Sequence, residues 1–125
     1  MATVFILYYN SVHMQYYNEQ KMHILREQLE KEVLSWLDVN TKKMYGCPCY
    51  KHGEKLFAFL VTDGVVLTKM TDADKAAVSK DFEVKPFQAG AKRIMYRWPQ
   101  IRLKTFSDLQ KLLPFIKKSY VLSQS

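Results

Sequence analysis

The sequence predicts an α+β domain of two layers, with a five-stranded antiparallel sheet and the helices on one of its faces. The predicted order is helix, three strands, helix, two strands, helix. Three observations carry this. An apolar stripe at helical spacing opens the chain after Glu19, short apolar runs follow on glycine-bearing turns, and helical patterns separate groups of strands rather than alternate with single ones.

The first helix is read from Met22, Leu25, Leu29, Val33, Trp36 and Leu37, which recur every three or four residues. The segment Asp38-Val39-Asn40 ends it. Three strand-like runs come next. Lys43–Tyr50 leads to a turn at His52-Gly53, and Leu56–Thr62 is a continuous apolar run suited to a central strand. Asp63-Gly64 then signals a hairpin, with Gly64 expected to hold the positive φ, and Val65–Lys69 returns antiparallel. Thr71 is placed to cap a short second helix whose first turn holds Asp72 and Asp74, and that helix ends near Phe82.

Pro86-Phe87 begins an extended segment, and Gly90 marks a turn. In Lys92–Trp98 the alternation is clean, so Ile94, Tyr96 and Trp98 are expected to face the helices and Arg93, Met95 and Arg97 the open side. Thr105 or Ser107 caps the last helix, whose apolar face is Leu109, Leu112, Leu113, Ile116 and Tyr120. Pro114 inside it implies a kink, or a helix that starts only near Leu113. Residues 1–18, rich in tyrosine and poor in charge, stand apart. They read as an appended strand or helix, or as an extension before an internal start at Met14, with a single domain over 19–125.

A chain of 125 residues with 48% apolar side chains is long enough for one domain with a real core, and its 25% charge is that of an ordinary globular protein. Its net charge of +7 is uneven, because residues 85–118 hold nine Lys and Arg against Asp108 alone. Such a basic half suits nucleic acid or an acidic partner, and equally a solvated surface. Two cysteines are too few for a disulfide framework. The longest apolar runs, Val4–Tyr9 and Leu56–Val61, fall far short of a bilayer span, and the N-terminus makes a poor secretory signal. A cytoplasmic protein with no membrane association is the expectation.

The series Lys43-Met-Tyr-Gly-Cys-Pro-Cys-Tyr50, Gly53, Leu56-Phe-Ala58, Asp63-Gly64 and Lys69 resembles the TfoX N-terminal domain family. Pro86-Phe87, the strand with Arg93, Met95 and Tyr96, and the closing helix with Ser119-Tyr120 are similar to that family's second half. The resemblance covers roughly residues 22–122. It implies a small regulatory domain linked to competence, here without the second domain of the full-length competence regulators.

Two candidate sites follow. Cys47 and Cys49 share a strand face, and with His52 they offer a thiol or metal site. Against that stand the Cys-x-Cys spacing, the three histidines in the whole chain and the readiness of cysteine to pack as a small hydrophobe. Arg93, Met95, Arg97, Arg102 and Lys104 are expected to line the open sheet face as a platform for a protein partner, a second copy of the chain, or nucleic acid. No glycine-rich phosphate loop and no catalytic motif stands out, and Asp72 and Asp74 are accounted for by the helix start. The expectation is a non-catalytic interaction or regulatory module without a cofactor. The alternative is a nucleic-acid-associated regulator of transcription or competence acting through the basic half.

Overall fold

The computed structural model of the chain describes residues 16–124. Helix α1 spans Glu19–Val33. The Asn18 side chain accepts from the Lys21 N–H at 3.2 Å, Glu19 lies at the positive end, and Lys31 lies in the last turn. Met22, Leu29 and Val33 are its buried stripe. The helix stops at Val33, earlier than the predicted Asp38–Asn40. The Ser35 hydroxyl donates to the Glu32 carbonyl, the N–H groups of Ser35 and Trp36 close tighter turns, and Asp38 reverses the chain at φ 61°. Leu37 therefore leaves the stripe and is 77% exposed.

Among the described residues the sheet has six strands, not five. The predicted first strand is two strands, β1 (Val39–Met44) and β2 (Cys47–His52), folded on a turn at Tyr45-Gly46. Both turn residues have positive φ, 54° and 78°, the geometry that matches the twist of a two-residue hairpin. Strands β3 (Lys55–Val61) and β4 (Gly64–Leu67) follow, then helix α2 (Asp72–Ser79), strands β5 (Val84–Ala89) and β6 (Arg93–Arg102), and helix α3 (Phe106–Leu122). The sheet order is β1-β2-β3-β4-β6-β5, with every neighbouring pair antiparallel. The α+β class holds.

The β3–β4 hairpin also differs from expectation in its detail. Asp63 takes the positive φ of 63°, while Gly64 already belongs to β4. Glycine is required there for space, because a Cβ would sit 2.6 Å from the Ile101 carbonyl oxygen on β6. Thr71 caps α2 as predicted, accepting from the Asp74 N–H. Thr105 caps α3 in a reciprocal box with Asp108. That helix begins at Phe106, so the late start near Leu113 does not occur. It runs through Pro114, which has no N–H to give the carbonyl of Gln110 one turn before it.

Paired residues share a face of the sheet, so the register fixes both faces. Tyr50, His52, Ala58, Val65, Leu67 and Ile101 point to the helices. Tyr50 reaches Glu30 on α1, and the His52 ring stacks on Tyr120 of α3 at 3.9 Å. Buried Ser119 pins α3 to the sheet, donating to the Phe57 carbonyl at 2.7 Å and accepting from the Lys69 N–H at 3.1 Å. Phe57, Phe59 and Leu60 are withdrawn from water on β3, each contributing about 1.5–3 kcal/mol of transfer free energy.

The opposite face is not open. Between Pro86↔Pro99 and Phe87↔Met95, β6 carries three residues that β5 does not match. The excess curls the β5–β6 hairpin over the sheet. Phe87 comes within 5.0 Å of Phe59, ring to ring, although three strand spacings of about 4.8 Å each separate β5 from β3 along the sheet. Trp98 joins them at 5.7 Å from Phe59. Tyr16 closes this cluster. Its ring lies 5.5 Å from Phe87, its hydroxyl accepts from the Gly90 N–H, and its carbonyl accepts from the Thr62 N–H. Tyr16 and Tyr17 thus belong to the packed domain, and the boundary predicted at residue 19 falls too late. The remainder of the predicted extension, residues 1–15, lies outside the described residues.

Candidate partner-binding groove

Three side chains of α1 build one wall of a groove. Glu19, Arg26 and Glu30 are spaced seven and four residues apart, which puts them in line on one helix face. Arg26 grips Glu19 through Nε at 2.9 Å and Nη2 at 2.8 Å, and reaches Glu30 through Nη1 at 3.0 Å. A tyrosine completes each end. Tyr17 donates to Glu19 at 2.6 Å and Tyr50 donates to Glu30 at 2.7 Å.

The groups hold one another in their charge states. Arg26, and after it Tyr17, depress the Glu19 carboxyl to about 2. Arg26 is held cationic, first by Glu19. Burial, reinforced by the carboxylate each one faces, pushes both phenols well above the ordinary range.

The second wall is β1, the edge strand. Thr41 pairs with Tyr50 and Lys43 with Pro48, so the Thr41 and Lys43 side chains face α1. Between the walls lies a cleft of about 730 Å³ floored by Gly46 and Pro48. The backbone of β1 matters as much as its side chains. A two-residue turn makes Met44 and Cys47 a pair that exchanges both hydrogen bonds. Alternation then turns the N–H and C=O groups of Lys43, Thr41 and Val39 away from β2. The Val39 N–H goes back to the Trp36 carbonyl at 3.4 Å. Among the described residues, Thr41 and Lys43 have no such partner.

The predicted sites fare differently. Cys47 and Cys49 do share a face, but they are 1% and 2% exposed, on the side away from the helices. His52 is three residues beyond Cys49 and points the other way. Its Nδ1 is 2.9 Å from the Tyr120 carbonyl and its Nε2 contacts Gln124. The three do not converge, and no cluster of metal-ligating residues occurs among the described residues. His52 is a buried strand residue and not the turn residue expected. Burial pushes the Cys47 thiol up to about 12 and the Cys49 thiol to about 11. Each sulfur faces a backbone carbonyl, Cys49 that of Cys47 at 3.4 Å.

The basic platform is divided. The three unmatched residues in β6 break its alternation, so Tyr96 is 70% exposed instead of facing the helices, and Trp98 faces Phe59. Met95 pairs with Phe87 and is half-buried against the core, not displayed on an open face. Arg93, beside the hairpin turn, and Arg97, among the three unmatched residues, are both exposed. Arg102 is at the other end of β6, 3.6 Å from Glu83 and beside Asp63. Lys104 lies beside Asp81 and Asp108. Carboxylates therefore offset that half of the predicted patch.

The groove was not legible as a site, because its walls come from segments that share no local pattern. The spacing of Glu19, Arg26 and Glu30 is the one signal that marked a common face. Among the described residues, fold and groove form an α+β domain in which the edge strand β1 lies beside a helix with no strand paired on its outer side. Compared with known proteins, no family model matches the chain, and no curated protein and no solved structure matches it.

Proposed function

We propose that this chain is a non-catalytic protein-interaction module, a relative of the TfoX N-terminal domain, that takes up an extended segment of a partner along β1. The observation that carries the reading is the outward N–H and C=O groups of Thr41 and Lys43 beside the α1 groove. An exposed edge of this kind is a template for a further strand, and a helix beside it gives the added side chains a wall to read. The other edge, β5, carries Pro86, which removes a donor. Two buried free thiols fit a reducing compartment such as the cytoplasm. No helix among the described residues is long and apolar enough to cross a membrane.

The test is selection from an unbiased peptide library on the protein, followed by binding to a Thr41→Pro variant. Proline there removes an outward N–H and no ladder bond. Peptides that bind the wild type and fail on the variant support the reading. Peptides that ignore the change, or an empty selection, overturn it.

A further inference from the structure

We infer that the segment added to β1 is acidic, an inference that rests on the strand-addition reading above. The edge strand β1 carries two lysines and no carboxylate. Glu19 and Glu30 share the single guanidinium of Arg26 and accept from the hydroxyls of Tyr17 and Tyr50, so the one negative charge left on that wall is spread over hydrogen-bonded oxygens across the groove from Lys43. Lys42 and Lys43 are exposed on the edge strand, and neither lies within salt-bridge distance of a carboxylate among the described residues. Their charges are the ones an incoming strand meets.

The same lysines argue against a second copy of the chain as occupant. Two β1 edges side by side would gather Lys42 and Lys43 of both copies along one short ladder, where like charges are destabilising. An extended segment with Asp or Glu at alternate positions reverses the sign of that interaction. Lys42 and Lys43 point to opposite faces of the sheet, since they pair with Cys49 and Pro48. A carboxylate on either face of the added strand therefore finds an ammonium opposite or diagonal to it. Lys43 selects on the groove side, next to α1, and Lys42 on the outer side.

The probes are three blocked, fluorescein-labelled peptides that alternate Thr with Glu, with Gln or with Lys, followed by anisotropy at low and high salt. Backbone amide shifts of Thr41 and Lys43 are read by NMR on the full chain. The Glu peptide is expected to bind about fivefold or more tighter than the Gln peptide at low salt, a gap set by two exposed ion pairs and closed by high salt. Both amides should move downfield on binding. Lys42→Gln with Lys43→Gln should bring the Glu peptide to the level of the Gln peptide. If all three peptides move the two amides with equal affinity, strand addition stands and the acidic preference falls. If the Glu peptide binds without moving them, the association is diffuse charge attraction and the inference is overturned. If no peptide binds, the strand-addition reading fails as well.

Discussion

The Tyr50 hydroxyl donates to the Glu30 carboxylate at 2.7 Å and so joins β2 to α1 across a separation of twenty residues. Because Glu30 also accepts from Arg26, which in turn holds Glu19, the contact is the inner anchor of the whole groove wall.

Tyr50→Phe keeps the ring and removes that donor. A hydrogen bond to a carboxylate contributes about 1.5–3 kcal/mol. A loss of stability at the lower end of that range is expected, since Glu30 is partly exposed, and urea unfolding at neutral pH measures it. An unchanged midpoint would show that water replaces the phenol at no cost.

Acid should loosen the same wall in a defined window. Glu19 has its carboxyl depressed from 4.5 to about 2 in the folded chain. The unfolded state therefore takes up the proton first, and the stabilisation, complete above 4.5, is lost as pH falls towards 2. Urea midpoints across that window should drop in the wild type and drop less in Arg26→Gln, which lacks the guanidinium that depresses Glu19. Parallel profiles would contradict the assignment.

Both thiols should be silent in the native protein. With Cys47 raised to about 12 and Cys49 to about 11, neither forms thiolate at neutral or mildly alkaline pH. A chromogenic disulfide reagent should titrate no thiol until denaturant is added, and then two. Native reaction at the rate of a free thiol would place the cysteines at the surface. The sign at high pH follows from the same burial. Unfolded thiols ionise near 9, so stability falls as pH rises above that value.

Two glycines should respond to alanine for different reasons. Gly64→Ala forces a methyl to 2.6 Å from a backbone carbonyl of β6, which cannot swing aside. A loss above about 2 kcal/mol is expected, at the upper range for overpacking. Gly46→Ala meets open space and costs only the strain of φ 78°, on the order of 1 kcal/mol. Gly46→Asn should lose less, because asparagine tolerates that region. Thermal melts of the three variants check the ranking.

What the sequence disclosed follows the range of the interactions. The Met22, Leu29 and Val33 stripe, the caps at Thr71 and Thr105, and the apolar strand at Leu56–Val61 are local patterns, and each is in place. The Tyr45-Gly46 hairpin was hidden because tyrosine is not a usual first residue of such a turn. The strand before it, Val39–Met44, lies on the edge and shows no alternation of burial. The reversal of Tyr96 and Trp98 depends on a length mismatch between two strands, which neither strand reveals alone. Arg102 reads as free until the fold brings Glu83 and Asp63 beside it.

The unmatched residues of β6 have a wider consequence. By curling its own hairpin over Phe59, the chain roofs a sheet face that many domains close with a second layer of helices. The roof depends on strand length rather than on any single side chain. Excision of residues 96–98 would straighten the hairpin and convert an interior into an adhesive surface, with no apolar residue added. Conservative substitutions along β6 leave that geometry untouched. The cover over Phe59 is thus encoded in a count of residues, and insertions or deletions, more than point changes, are the events to which it is exposed.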